Sequence, residues 1–193
     1  MLTDFVRREC LKRRIFEIPP DRRISIKGDL RTEQADSLID SVNALNEASP
    51  VPILCSINSE GGDVEAGLSL CDAFRFSSAP VVALVVRRAH SAALLALQGC
   101  TERYALLNAK LGIHNNSLRW VITTEWKPDL KPSLIHAVEE RVDELDKNRE
   151  AAIQVFLERT KLPRADLEGL MNESKLMRTE EALELGFLDA VAM

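Results

Sequence analysis

Ser91 stands between an apolar, β-prone run and the small, aliphatic stretch Ala92-Ala93-Leu94-Leu95-Ala96-Leu97. A hydroxyl at a sharp strand-to-helix turn is the setting of a nucleophile elbow, where the bend presents the side chain to an incoming carbonyl. Ala89, Ala92 and Ala93 leave space for a substrate to approach, although the glycines that commonly form such a turn are missing. The same position also suits a serine that does no more than cap a helix. A serine nucleophile needs a base. The chain has three histidines. His90 adjoins Ser91 and is expected to send its ring another way, while His136 lies among Glu139 and Glu140 on a solvated face. His114 ends the strand-like run Leu111-Gly112-Ile113. Carboxyl ends of parallel strands gather at one rim of a sheet, so His114 is the candidate partner of Ser91. A second strand end, Ser59-Glu60-Gly61-Gly62-Asp63-Val64, offers backbone amides at a helix N-terminus. Such amides bind an anion or a developing oxyanion, and Gly-Gly alone equally marks a plain turn.

The elements that must hold these residues follow from periodicity. Alternation predicts a strand over 23–28, ended by Gly28. Ala35, Leu38, Ile39, Val42 and Leu45 predict a helix over 32–48. A buried strand over 52–57 runs into a turn over 58–62, then a helix through Val64, Leu68, Leu70 and Phe74. A third strand is expected over 80–86 and a buried helix from Ser91 to Gly99, with short strands over 104–107 and 111–114. This rhythm is that of βαβ units on a mostly parallel sheet. The segment 119–126 is β-prone, and 133–160 predicts one helix about 40 Å long. That is more than a domain of this size covers, so the helix is expected to project and meet another subunit. Shorter helices are predicted over 162–171 and 179–186.

Composition narrows the classes. Hydrophobic residues at 46% and charged residues at 28% exclude a disordered chain. The longest wholly apolar runs, 81–86 and 92–97, are too short to cross a bilayer, and no apolar segment of a secretory signal follows Met1. A net charge of −5 gives no reason to expect nucleic acid. Cys10, Cys55, Cys71 and Cys100 lack metal or redox spacing, which is the pattern of buried thiols in a reducing cytoplasm. No metal and no cofactor is expected.

Four ordered segments carry a family resemblance. Ile57-Asn58-Ser59-Glu60-Gly61-Gly62-Asp63-Val64-Glu65-Ala66-Gly67 closely resembles the I-N-S-P-G-G-x-V-x-A-G segment of the Clp protease proteolytic subunit. Ala89-His90-Ser91-Ala92-Ala93 is similar to that family's A-A-S-M-A around the nucleophile. Asn108-Ala109-Lys110-Leu111-Gly112-Ile113-His114-Asn115 resembles P-N-S/A-x-x-M-I-H-Q. The stretch from Met177 to Asp189 resembles the closing M-S/T-A-x-E-A-x-E-Y-G-L-I/V-D.

The resemblance implies an α/β fold of the ClpP/crotonase type: repeated ββα spiral units with a projecting long-helix handle at about 118–160. It implies an N-terminal segment, 1–22, suited to an axial gate, ahead of a peptidase domain over 23–193. It makes Ser91 the nucleophile, His114 the base, and the amides of Gly62 and Ala92 the oxyanion hole. The family's aspartate position falls on Ser174, which accepts a hydrogen bond but cannot stabilise an imidazolium as a carboxylate does. Glu173 next to it is the candidate substitute. Glu60 replaces the family's proline, Arg87 replaces a glycine, and Arg88 adds a second cation. Leu118 to Trp126 replaces the glycine-rich strand lining the substrate groove.

The expected function is a cytoplasmic serine endopeptidase acting on peptides or unfolded proteins inside stacked homo-oligomeric rings. An AAA+ ATPase unfoldase is the implied partner, with neither nucleic acid nor membrane. The alternatives are a catalytically degenerate subunit, a signal peptide peptidase-like protease, or a crotonase-type enzyme of the same fold.

Overall fold

In the computed structural model, Ile15, residues 17–117 and residues 125–192 are described. Strand β1 (Arg23–Leu30) turns Ile26 and Leu30 into the core, and β2 (Ile53–Gly62) runs parallel beside it. Helix α1 (Thr32–Ala48) makes the crossover, laying Ala35 and Val42 on the sheet. Helix α2 (Val64–Phe76) leads to β3 (Val81–His90), again parallel, and α3 (Ala92–Gly99) leads to β4 (Glu102–Leu106). Every residue of α3 is buried, including Gln98, which accounts for its lack of any polar face. Gly99 lets α3 lie directly on α2: a Cβ there would stand 2.2 Å from the Cys71 carbonyl oxygen. Such spacing requires bare backbone.

Strand β3 serves two neighbours. Its first half, Val82 to Val85, pairs with β4, and its end, Arg88 to His90, pairs with β5 (Lys110–Gly112). Helices α4 (Leu130–Arg159) and α5 (Arg164–Asn172) follow. Strand β6 (Leu176–Arg178) runs antiparallel to β5, and α6 (Thr179–Glu184) leads to β7 (Ala190–Ala192), which lies parallel to β4. The main core fills the space between sheet and helices. A smaller cluster of Ile15, Ile18, Leu54, Val82 and Tyr104 lies apart from it. Arg22 is buried beneath the end of α1, its guanidinium donating to the carbonyls of Leu45 (2.9 Å), Ser49 (3.0 Å) and Val51 (2.5 Å).

The predicted turn over 58–62 is strand instead. β1 keeps pairing to the end, Leu30 with Gly62, across a bulge after Gly28. β3 likewise runs on through His90, because β2 and β5 flank its last residues. Helix α4 starts at Leu130, three residues earlier than expected from periodicity, and holds Pro132 in its first turn, where no amide partner is lost. Only the C-terminal part of this helix is buried, at Ala152, Ile153, Val155 and Phe156. Ile135, Val138 and Val142 are exposed. Of the β-prone segment, 119–124 lies outside the described residues, and Glu125 and Trp126 are in neither strand nor helix. The short β6 and β7 were not expected from the sequence.

Candidate active site

Ser91 lies between β3 and α3, outside the helix that it was expected to begin. Its backbone is at φ 51° and ψ −124°, a combination that costs an ordinary residue roughly 1–3 kcal/mol and gathers at functional sites. The backbone on either side holds it there. Ser91 N–H donates to the Gly112 carbonyl at 2.9 Å, and its own carbonyl accepts from Leu94 N–H at 2.9 Å. The hydroxyl makes no capping bond to the helix. A serine used only as an N-cap would be making that bond. Ser91 instead lines a pocket with His114, walled by Val64, Leu95, Phe156 and Met171. Sheet topology brings the two together: β5 lies beside the end of β3, so the chain leaving Gly112 passes the turn that carries Ser91.

Half-buried His114 directs Nδ1 at the Asn115 carbonyl oxygen, 2.5 Å away. Neither Ser174 nor Glu173 is hydrogen-bonded to its ring among the described residues. Ser174 sits in a left-handed turn, at φ 53°, after α5, its N–H donating to the Met171 carbonyl at 3.2 Å. The next residue meets the histidine segment: the Lys175 carbonyl accepts from Ile113 N–H at 2.9 Å. Asn116 lines the Ser91 pocket too, and its Nδ2 is buried without a hydrogen-bond partner among the described residues.

The Gly61-Gly62 segment passes the same turn. Gly61 stands at φ +92° and Gly62 at φ +151°, values that L side chains rarely adopt. Ser59 secures the approach, its hydroxyl donating to the Gly28 carbonyl at 2.5 Å and accepting from Gly61 N–H at 3.0 Å. Asp63 caps α2, accepting from Glu65 N–H at 3.0 Å, and also accepts from the Thr32 hydroxyl at 2.8 Å. Asp63 stands immediately before an amphipathic run, a placement that marks an N-cap in the sequence itself.

His90 leaves in another direction, as its adjacency to Ser91 required. Its Nδ1 meets Glu60 Oε2 at 2.6 Å, and the other carboxylate oxygen pairs with Arg88. Two of the family departures thus compensate one another across β2 and β3. Burial pushes the His90 imidazole below its ordinary value, and Arg88, His114 and Lys110 add to the effect. Its Nε2 is buried and unpartnered among the described residues. Burial also raises the Cys55 thiol to about 12 and the Cys71 thiol to about 11, which makes both poor nucleophiles.

A family model described as Clp protease matches residues 12–193. The chain belongs to the Clp protease family. Its Clp relatives include the "ATP-dependent Clp protease proteolytic subunit" of Deinococcus radiodurans, 31% identical over 174 residues, or 89% of this chain and 80% of that one. Another is "ATP-dependent Clp protease proteolytic subunit 1" of Chlamydia muridarum, 32% identical over 175 residues, or 88% of this chain and 85% of that one. An asparagine-to-aspartate mutant of ClpP1 from Listeria monocytogenes has the same fold, with a TM-score of 0.75 at 21% identity over 89% of this chain and 91% of that one. The Clp proteolytic-subunit family is one of serine peptidases, and the mixed α/β architecture with its long helix α4 is that of the family. No helix among the described residues is long and apolar enough to cross a membrane.

Proposed function

We propose that this Clp-family chain is an endopeptidase in which Ser91 is the nucleophile and His114 the general base. As Ser91 Oγ bonds to a peptide carbonyl carbon, its proton passes to His114 Nε2, and the carbonyl oxygen becomes an oxyanion received by the amides of Gly62 and Ala92. Collapse breaks the C–N bond, and the leaving nitrogen takes the proton from His114. Water then attacks the acyl-enzyme, passing a proton to His114 and returning Ser91 to its hydroxyl form. Ser174, at the aspartate position, supplies no charge, and neither it nor Glu173, the candidate substitute beside it, bonds to the His114 ring among the described residues. The single observation that carries this reading is the shared pocket: a strained serine, its hydroxyl free of capping duty, faces the same space as His114.

The wider proposal is a cytoplasmic, stacked-ring chamber that degrades peptides or unfolded proteins delivered by an AAA+ ATPase, with residues 1–22 as an axial segment ahead of the peptidase domain. The exposed apolar residues of α4, Ile135, Val138 and Val142, support association. Treatment with a fluorophosphonate probe, read by intact mass with peptide mapping, tests the chemistry. Labelling at Ser91, lost together with peptide hydrolysis in Ser91→Ala, is the expected result. A folded, assembled wild-type protein that neither labels nor cleaves peptides overturns it in favour of a degenerate subunit, a reading that the missing carboxylate at Ser174 favours. Acyl-CoA turnover without labelling points to crotonase-type chemistry.

A further inference from the structure

We infer that the acceptor orienting His114 is the main-chain carbonyl of Asn115, and that Asn115, Asn172 and Arg149 are positioning residues holding that carbonyl in place. This rests on the reading of His114 as the general base and supplies what that reading lacks, a partner for the far side of the imidazole.

The chemistry of the contact fixes the tautomer. A carbonyl oxygen only accepts hydrogen bonds, so the imidazole nitrogen 2.5 Å from it must carry the proton. With Nδ1 protonated, Nε2 keeps its lone pair, which is the form a base needs when the serine proton arrives. A triad aspartate does two things: it selects this tautomer and stabilises the imidazolium. A carbonyl performs the first fully and the second only through its dipole.

A carbonyl orients a ring only if it is itself immobile, and the surroundings of Asn115 meet that condition. Its N–H donates to the Met171 carbonyl at 3.2 Å. Its side-chain amide reaches in two directions: Nδ2 donates to Asn172 Oδ1 at 2.7 Å, and Oδ1 accepts from Arg149 Nε at 3.1 Å. Asn172 is the last residue of α5, and Arg149 lies in α4. Both helices therefore grip the residue that follows the histidine. On the other side, Ile113 N–H is bonded to the Lys175 carbonyl at 2.9 Å. Arg149 is itself held, its guanidinium 3.6 Å from the Glu168 carboxylate. His114 thus sits in a segment pinned both before and after it.

The test separates orientation from charge and from simple structural support. Steady-state kcat and KM on a fluorogenic peptide are measured for the wild type, Asn115→Ala, Asn172→Leu, Asn172→Asp and Ser174→Ala, with thermal unfolding as a folding check. The imidazole ¹⁵N shifts of His114 are recorded in each. Asn115→Ala and Asn172→Leu are expected to lower kcat about tenfold or more, with KM little changed, because a small misplacement of the base slows chemistry rather than binding. Asn172→Asp keeps an acceptor for the Asn115 amide and should retain most of the activity. Ser174→Ala should cost clearly less activity than Asn115→Ala. In the wild type the ¹⁵N shifts should report a proton on Nδ1, and Asn115→Ala should mix the tautomers.

An Nε2-protonated ring in the wild type overturns the inference, and so does a Ser174→Ala loss as large as that of Asn115→Ala. A protein without peptidase activity would overturn the proposed function but not this inference, because the tautomer and its response to Asn115→Ala are read without turnover. Should Asn115→Ala fail to fold, the Asn172→Leu and Asn172→Asp pair decides it by the same shifts.

Discussion

A Cβ placed on Gly61 would stand 2.7 Å from the Cβ of Ser91 and 2.6 Å from the His90 carbonyl oxygen. The bend at the end of β2 and the turn that carries the serine are therefore in backbone contact, and neither can take a methyl group between them. Gly61→Ala should destabilise the fold by roughly 1–3 kcal/mol, since the φ of +92° adds strain to the clash. It should also lower kcat on the order of 10²-fold by displacing the serine. Gly28→Ala is the control. Gly28 also has a positive φ, +70°, but nothing stands within 4 Å of its added Cβ. That variant should lose stability in thermal unfolding while its kcat stays close to wild type.

Restoring a carboxylate at residue 174 should speed the reaction. The backbone there, at φ 53°, is a left-handed conformation that aspartate tolerates better than most residues. Ser174→Asp is expected to raise kcat by up to the order of 10²-fold, with KM little affected, because the added charge acts on the imidazolium formed during attack. The same change should partly rescue Asn115→Ala, since a carboxylate can take over the Nδ1 proton. Steady-state kinetics on the three variants decides both points.

Stability should depend on the protonation of His90. Its imidazole is held below the ordinary value of 6.5, first by burial and then by Arg88, His114 and Lys110, with Glu60 the facing acid. Between its folded and unfolded values the unfolded chain binds the extra proton, so this contribution is complete above about pH 6.5 and is lost as pH falls through the folded value. Thermal unfolding from pH 8 to pH 5 should show the midpoint falling on the acid side. The slope in that window should be shallower in His90→Gln, which has no proton to take up.

Association should fail when the exposed stripe of α4 is charged. Val138 and Val142 are 44% and 45% exposed and sit one helical turn apart. Replacing both by aspartate should reduce the native mass to that of a smaller assembly while leaving far-ultraviolet circular dichroism unchanged. An unaltered mass would place the contact elsewhere.

Much of this was legible because periodicity and packing agree. The helical spacing of Ala35 and Val42, and the apolar runs that became β2 and β3, need only the burial of one face to fix their state. The strand ends were not legible. Gly61 and Gly62 read as a turn in isolation and are held as strand only by pairing with Asp29 and Leu30, a contact remote in sequence. The same holds for Arg88 and His90, whose polarity argued against strand until β5 and Glu60 stood beside them. Within the candidate site, Ser91 and His114 stand out by residue type at strand ends, and the structure brings both to one pocket. Asn115 does not stand out in this way, because what it offers His114 is a carbonyl that every residue possesses, and only the surrounding network distinguishes it.

Arg22 carries a consequence for how the molecule opens. Arg22 is 5% exposed, and its guanidinium is satisfied by carbonyls at and beyond the end of α1, with no carboxylate among its partners in the described residues. Charge balance comes from the negative end of the helix dipole. Fraying of the last turn of α1 would strand a buried cation, so that turn and the chain around Arg22 must be released together. In native-state hydrogen exchange, the amides at the end of α1 and at the start of β1 should therefore open as one cooperative unit, with a common free energy rather than the graded loss of a frayed helix end.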